Sequence, residues 1–306
     1  MIREIIKRYL DKHNKESIEG KTILFVGATS GIGLAALEEL LYLKAKVIIS
    51  ARDVKAAEEK MKPLGEKYNT SVEVFELDLA SLDSIKKFVA KVKRRNLDLD
   101  GFILNAGCFG INDKLTVDGY PYVMGVNYIG NYYLVERLLP YLQGLTHDVK
   151  LVITTSNSYK RGKADSNDFF LDSKKRGNYT IYATSKLYLL RYSFYLANML
   201  MDSNIRVLFT HPGLVHTKIL DGIYKAWYLR CFSFIKYFCK KPDKGALGIP
   251  YALTNSFKDG TLLGPKAFSF GYPKKNKIKK KGYSNIEKLL KNTKSFIRKK
   301  EEKAEN

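Results

Sequence analysis

The chain has 306 residues, with 53 Lys+Arg against 31 Asp+Glu and a formal net charge of +22. Its 45% hydrophobic content excludes a disordered protein, and its length suffices for one or two domains with a full core. No uninterrupted apolar run reaches the roughly 18 residues of a membrane-spanning helix, and the N-terminus lacks the apolar core of a signal peptide. We therefore expect an intracellular protein, either cytoplasmic or peripheral on the cytoplasmic face of a membrane.

The composition also bears on whether the chain binds a metal ion or a nucleic acid. The three cysteines show no metal-ligand spacing, so no metal site is predicted. A strongly basic chain could bind nucleic acid, an anionic membrane or a phosphate-rich cofactor. No zinc-finger, KH-type or RNP-type pattern is present, so we predict no nucleic-acid partner.

Short β-branched runs alternate with longer helical patterns between residues 18 and 273. The predicted strands cover residues 22–26, 47–50, 72–77, 102–104, 149–155 and 205–210. The predicted helices cover residues 31–44, 54–68, 85–94, 122–142 and 180–201. Strands joined by crossover helices predict one doubly wound parallel sheet of the Rossmann type, an α/β fold with helices on both faces.

Two further segments flank this predicted domain. Residues 1–17 form an amphipathic N-terminal segment, with several apolar side chains on one helical face. Residues 274–306 form a basic C-terminal tail that holds 13 Lys+Arg against four acidic residues, and we expect this tail to be partly helical.

A glycine-rich turn follows the first predicted strand and opens the first crossover helix. It reads Gly27-Ala28-Thr29-Ser30-Gly31-Ile32-Gly33. Glycines at this place let backbone N–H groups approach a pyrophosphate, whose charge the helix N-terminus favours. The pattern alone also fits a simple tight turn, but its position favours a dinucleotide site.

The end of the second strand indicates which dinucleotide is bound. A site for NAD commonly places an acidic residue there, whereas this chain has Ala51 followed by Arg52. A guanidinium fork suits a phosphate, so Arg52 favours NADP(H) over NAD(H). The alternative is that Arg52 is an exposed charge at the helix entry and that Asp53 only caps the next helix.

Farther along the chain, Tyr182 and Lys186 lie four residues apart on a predicted helix. This spacing places both side chains on one face. A Lys ammonium close to a phenol favours the phenolate and lowers the pKa of the tyrosine, which would make it a usable acid or base near neutral pH. A tyrosine and a lysine at this spacing also arise by chance, so the surrounding motifs must carry the interpretation.

The joint pattern resembles the short-chain dehydrogenase/reductase family over about residues 20–270. The motifs that carry the resemblance are the glycine turn, Asn105-Ala106-Gly107, Asn127, the pair Tyr182 and Lys186, and Pro212-Gly213. Within the family the chain is most similar to the retinol dehydrogenase branch. That similarity rests on Asp118-Gly119, on the stretch from His211 to Val215, and on the aromatic run leading to Lys241-Pro242.

The resemblance implies a role for each matching residue. Tyr182 would be the proton donor and acceptor, Lys186 would lower its pKa and bind the nicotinamide ribose, and Asn127 would order a relay water. Ser156 would hydrogen-bond the substrate oxygen, with Ser158 and Thr155 as rival candidates. The implied cofactor-binding residues are Gly27, Thr29, Ser30, Gly31, Ile32, Gly33, Arg52, Asp78, Leu79, Asn105, Ala106, Gly107, Tyr182, Lys186, Pro212, Gly213, Val215 and Thr217.

These roles imply an oxidoreductase that interconverts an alcohol and a carbonyl on an apolar substrate such as a retinoid, a steroid or a fatty aldehyde. Two positions depart from the family pattern: Val26 replaces a threonine, and Thr154-Thr155 precedes Ser156 where tandem serines are usual. The alternative is therefore a catalytically silent NADPH-binding or membrane-surface protein on the same fold.

Two further expectations concern partners. By analogy with the family, a homodimer would form through the helices at residues 122–142 and 180–201. The aromatic segment 223–239 carries Lys225, Arg230 and Lys236, and it is too short and too charged to span a bilayer. It predicts either an apolar lid over the substrate or an interfacial helix that makes peripheral membrane contact.

Overall fold

The computed structural model describes residues 2–111, 113–164, 169–170, 176–213, 215, 242–265, 271–278 and 285–305. The strands are β1 (Thr22–Val26), β2 (Lys46–Ala51), β3 (Val72–Glu76), β4 (Gly101–Leu104), β5 (Val149–Thr154), β6 (Ile205–Thr210), β7 (Leu262–Pro265) and β8 (Pro273–Asn276). They form one sheet in the order β3-β2-β1-β4-β5-β6-β7-β8.

The helices alternate with the first six strands as the sequence predicts. They are α1 (Ile2–His13), α2 (Gly31–Tyr42), α3 (Val54–Tyr68), α4 (Leu82–Arg94), α5 (Tyr122–Met124), α6 (Asn131–Gln143), α7 (Asn178–Met199), α8 (Pro242–Ala246), α9 (Gly248–Leu253) and α10 (Ile286–Glu305). A π-helical turn (Gly125–Gly130) joins α5 to α6, and a 3₁₀ turn (Asn157–Arg161) follows β5. The predicted α/β fold with helices on both faces is confirmed.

The sheet is parallel except at one edge, where β7 and β8 pair antiparallel. Side chains alternate between its two faces, as the pleat requires. On β1, Ile23 and Phe25 pack in the core on one face, with α2, α3 and α9. Leu24 and Val26 pack in the core on the other face, with α4, α6, α7 and α10. Because both faces are covered, strands such as β1 read as continuous apolar runs.

Local sequence signals explain where the helices begin. The Asp53 carboxylate accepts a hydrogen bond from the Ala56 N–H at 3.0 Å, which caps α3. The Ser81 hydroxyl caps α4 in the same way by accepting from the Ser84 N–H at 3.2 Å. Each cap satisfies a donor that the first helical turn leaves without a partner.

The two terminal helices pack on the body of the fold. On α1, Ile6, Tyr9 and Leu10 are buried together with Leu247 in a small cluster beside α2. On α10, Leu289, Leu290 and Ile297 belong to the main core on the α6–α7 side of the sheet. The carboxyl-terminal helix is therefore a structural element of the domain.

Polar contacts fix α10 near its middle and near its carboxyl end. The Tyr128 and Thr293 hydroxyls lie 2.7 Å apart and are buried. Nearer the end of the helix, the Glu301 carboxylate accepts hydrogen bonds from Tyr133 at 2.6 Å and from Arg137 at 2.7 Å, both on α6. Within the described ranges, no helix is long and apolar enough to cross a membrane.

Candidate active site

The glycine-rich turn lies at the carboxyl edge of the sheet, between β1 and the start of α2. Gly27 has a φ of 89°, a left-handed conformation that other residues rarely adopt. A Cβ on Gly33 would stand 1.9 Å from the Gly27 carbonyl oxygen, so only glycine permits this approach of helix to strand. The Asn105 side chain donates to the same carbonyl at 2.8 Å and ties the end of β4 to the turn.

A cleft with a volume of about 590 Å³ runs along this edge of the sheet. That volume lies within the range of small-molecule and cofactor sites. The predicted cofactor residues that line it are Gly27, Thr29, Ser30, Gly31, Ile32, Gly33, Arg52, Asp78, Leu79, Asn105, Ala106, Gly107, Tyr182, Lys186, Pro212, Gly213 and Val215. Thr217, which we also predicted, lies outside the described residues, as does segment 223–239.

The acid–base candidates meet in the middle of the cleft. Tyr182 and Lys186 both lie on α7 and are buried, and Ser156 lines the cleft together with them. Ser156 caps the 3₁₀ turn by accepting from the Ser158 N–H at 3.2 Å, so its hydroxyl is held in place. Among the three candidates for the substrate-binding hydroxyl, this geometry favours Ser156 over Ser158 and Thr155.

Burial sets the protonation of this pair, and the result differs from the sequence-based expectation. Burial raises the pKa of Tyr182 to about 12, although the Ser156 hydroxyl opposes the shift. Burial also lowers the pKa of Lys186 to about 8. The expected lowering of the Tyr182 pKa by Lys186 is therefore wrong as a net effect, because desolvation disfavours the charged form of each group.

Asn127 lies behind the wall of the cleft, in the π-helical turn between α5 and α6. Its side chain accepts from the Cys108 N–H at 2.7 Å and donates to the Cys108 carbonyl at 2.9 Å and to Ser185 at 3.0 Å. A Cβ on Gly107 would stand 3.1 Å from Lys186 Nζ and 3.3 Å from Asn127 Oδ1, so glycine lets both groups reach this point. Single π-turns of this kind are frequent at functional sites.

Arg52 stands at the other end of the cleft, after β2. Its guanidinium donates to the Tyr122 hydroxyl at 3.4 Å, and both residues line the cleft. The alternative interpretation is that Asp53 only caps the next helix and that Arg52 is an exposed charge at its entry. Asp53 does cap α3, but Arg52 lines the cleft. Among the described residues, no group of three or more His, Cys, Asp or Glu could hold a metal ion.

Sequence reasoning missed several residues of the site. Tyr122 supports Arg52, and Ser185 holds Asn127. Phe109 packs its ring edge-on against Tyr182, with 5.4 Å between ring centroids. Ser185 could have been found from the sequence because it lies between Tyr182 and Lys186 in the same motif. Tyr122 and Phe109 lie in segments without a distinctive pattern, so the sequence did not indicate them.

The strand order and the glycine turn define a doubly wound, dinucleotide-binding fold. A family model described as short chain dehydrogenase matches residues 21–226. The chain therefore belongs to the short-chain dehydrogenase family, whose members are oxidoreductases that use a nicotinamide dinucleotide.

Curated relatives lie in the same branch as the sequence motifs predict. Human retinol dehydrogenase 14 is 33% identical over 246 residues, which are 75% of this chain and 72% of that protein. Human polyprenol dehydrogenase is 29% identical over 246 residues, covering 78% of this chain and 74% of the relative.

Solved structures agree with the fold. An uncharacterized protein from Mycobacterium paratuberculosis superposes with a TM-score of 0.75 at 26% identity, covering 92% of this chain and 95% of the other. A short chain dehydrogenase from Shigella flexneri, complexed with NADP, has a TM-score of 0.64 at 22% identity and covers 81% of this chain and 98% of its own.

Proposed function

We propose that the chain is an NADP-dependent oxidoreductase that interconverts an alcohol and a carbonyl, with Tyr182 as the proton donor and acceptor. The observation that carries the proposal is the meeting of Tyr182, Ser156 and the buried Lys186 in one cleft that begins at the glycine-rich turn. A reacting oxygen placed against Tyr182 and Ser156 would meet two hydroxyl groups at once.

The residues present fit a dinucleotide. Gly27 and Gly33 leave no Cβ in the turn, and the N-terminus of α2 offers backbone N–H groups to a pyrophosphate. Lys186 would bind the hydroxyls of the nicotinamide ribose, and Asp78 and Asn105 would line the adenine side and the floor. When bound, the nicotinamide supplies or accepts the hydride, and the protein supplies position and electrostatics.

The protonation of Tyr182 favours one direction of proton transfer. With a pKa of about 12, its phenol is neutral near pH 7, so its proton is available for the oxygen of a carbonyl substrate. Ser156 would donate a second hydrogen bond to the same oxygen and stabilise the charge that develops there. The side chain of Asn127 is held by hydrogen bonds to Cys108 and Ser185. It would order a water molecule near Lys186, and this water would pass a proton back to Tyr182.

We propose NADP(H) as the preferred cofactor because Arg52 faces the cleft at the end of β2 and Ala51 offers no carboxylate to a ribose hydroxyl. A charge-assisted hydrogen bond contributes about 1.5–3 kcal/mol. Substituting Arg52→Ala should raise the dissociation constant for NADPH roughly ten- to a hundredfold and change that for NADH little. Equal weakening of both cofactors would show that Arg52 has only a structural role.

The substrate that we propose is an apolar alcohol or carbonyl compound, such as a retinoid, a steroid or a fatty aldehyde. Apolar side chains line the cleft, among them Phe109, Ile111 and Val215, and the Phe109 ring packs against Tyr182. The names of the retinol and polyprenol dehydrogenases are consistent with this class. A panel of carbonyls and alcohols, each assayed with NADPH and with NADH, tests the proposal. Binding of NADPH without turnover of any compound would favour the catalytically silent alternative.

Peripheral contact with an anionic membrane on its cytoplasmic side is part of the same proposal. It rests on the aromatic and basic residues of segment 223–239 and on the basic tail, which would add about 1 kcal/mol per well-placed cation. The intact protein should co-sediment with anionic liposomes at low salt and be released as salt is raised. A protein that stays in the supernatant at low salt would contradict this part.

A homodimer through α6 and α7 also stays a prediction. Because α10 contacts Tyr133 and Arg137 on α6, it covers part of the surface that such a dimer would use. Light scattering on the purified protein would give the oligomeric state directly.

A further inference from the structure

The adenosine end of the cleft lies where β1 and β2 end side by side. In the parallel register Val26 pairs with Ser50, so the residues that follow the two strands leave the sheet next to each other. Thr29 and Arg52 both line the cleft at this corner. A group on the adenosine ribose would therefore have the glycine-rich turn on one side and Arg52 on the other.

A second cation reaches this corner from α3. Lys60 is exposed on the helix that Asp53 caps, and its Nζ donates a hydrogen bond to the Thr29 carbonyl oxygen at 2.7 Å. The contact joins residues 31 positions apart. It places the ammonium group against the glycine-rich turn at Thr29, which lines the cleft together with Arg52. No sequence motif singles out this lysine.

Neither cation is neutralised by a nearby acid. In the described portion of the chain, no ion pair joins Arg52 or Lys60 to a carboxylate. The carboxylate nearest in sequence to Arg52, that of Asp53, already accepts from the Ala56 N–H as the helix cap. Two positive groups therefore lie at this corner of the cleft, and neither forms a salt bridge with a described carboxylate. An anionic ligand is the partner that such an arrangement suits.

We propose that Lys60 and Arg52 together hold the 2′-phosphate of NADP(H), and that Lys60 is a second residue that sets cofactor specificity. The inference rests on the NADP preference proposed above and adds a residue to it. A phosphate monoester carries about −1.5 to −2 charges at pH 7 and several acceptor oxygens, so two cations match it better than one. A ribose hydroxyl carries no such charge and would gain little from Lys60.

The test uses two small nucleotides that differ only in the group of interest, 2′,5′-ADP and 5′-AMP. Their dissociation constants would be measured by isothermal titration calorimetry with the wild type, with Lys60→Met, and with Lys62→Met as a matched control. Lys62 is exposed on the same helix, but of these two lysines only Lys60 donates a hydrogen bond to the glycine-rich turn among the described contacts. Circular dichroism melts would show that each variant is folded.

Lys60→Met should weaken 2′,5′-ADP about three- to tenfold and change 5′-AMP less than twofold, as expected for one exposed charge contact. Lys62→Met should change neither, and Lys60→Arg should keep most of the affinity. The effect of Lys60→Met should shrink as salt is raised, because the contact is exposed.

Two results would overturn the inference without touching the NADP preference. One is unchanged binding of 2′,5′-ADP by Lys60→Met while the wild type still prefers 2′,5′-ADP to 5′-AMP. The other is equal weakening of both nucleotides, which would mean that Lys60 only supports the Thr29 turn. If the wild type itself bound both nucleotides equally, the NADP proposal would fail and the role of Lys60 would fail with it.

Discussion

The contact between Tyr128 and Thr293 allows a quantitative test of how the carboxyl-terminal helix is held. The two hydroxyl oxygens lie 2.7 Å apart, and both side chains are completely buried. The Thr293 hydroxyl also donates to the Leu289 carbonyl at 2.8 Å, so it accepts the proton of Tyr128. Removing the Thr293 hydroxyl leaves a buried phenol without its acceptor, which costs about 1–3 kcal/mol.

The perturbation is Thr293→Val, which keeps the shape of the side chain and removes only the oxygen. We expect the free energy of unfolding to fall by about 1–3 kcal/mol for Thr293→Val and by about 1 kcal/mol for Tyr128→Phe. In the double variant both polar groups are gone, so its loss should be clearly smaller than the sum of the two single losses. Urea unfolding followed by circular dichroism measures all four proteins.

Two outcomes would refute this reasoning. If Thr293→Val lowered the midpoint of unfolding no more than an exposed substitution on the same helix, such as Lys294→Met, the helix would not be docked through Thr293. If the losses of the two single variants were additive, the hydroxyl groups would not interact. The first result would contradict the docking of α10 through Thr293, and the second would contradict the hydrogen bond between the two hydroxyl groups.

Three further predictions follow from the site. The folded state lowers the pKa of Lys186 from 10.5 to about 8, so between these pH values the unfolded chain binds more protons than the folded one. The free energy of unfolding of the wild type should therefore rise with pH over this range, by up to about 3 kcal/mol relative to Lys186→Met. Chemical unfolding of both proteins at pH 7.5 and at pH 10.5 measures this difference. A flat difference between the two proteins would contradict the burial of an ammonium group. Gly33→Ala should abolish NADPH binding in fluorescence titrations, because its Cβ would stand 1.9 Å from the Gly27 carbonyl oxygen, whereas Gly177→Ala, with nothing within 4 Å, should bind normally. Asn127→Ala should lower the melting temperature by several degrees and reduce turnover, since it leaves the Cys108 N–H without its buried acceptor; an unchanged melting temperature would contradict this.

Much of the fold could be predicted because its signals are local. The apolar runs of β1 and β5 and the apolar positions of α4 at helical spacing follow from burial on one or both faces. The position of the glycine-rich turn could be predicted because steric exclusion requires glycine there. At Gly33, for example, a Cβ would clash with the Gly27 carbonyl oxygen. The predicted helix at residues 122–142 is interrupted by a π-helical turn, which depends on how Asn127 bonds to residues far along the chain.

The parts that escaped prediction depend on tertiary contacts. The docking of α10 rests on α6 side chains such as Tyr133, more than 150 residues earlier. Edge strand β8 is short and polar, with the sequence Pro-Lys-Lys-Asn, and it pairs only along β7. The Tyr182 pKa could not be inferred from its spacing to Lys186, because spacing says nothing about how much water each group loses.

The measurement that tests the central claim most directly is a comparison of Tyr182→Phe with the wild type on the best substrate of the panel. The substitution removes one oxygen and keeps the ring that packs against Phe109. We predict that turnover falls by about 10²–10⁴, the range for a lost general acid. The dissociation constant for NADPH, measured by fluorescence titration, should stay within about threefold because the phenol is not a principal cofactor anchor. A Tyr182→Phe protein that turns over at close to the wild-type rate would contradict the assignment of Tyr182 as the catalytic acid and base.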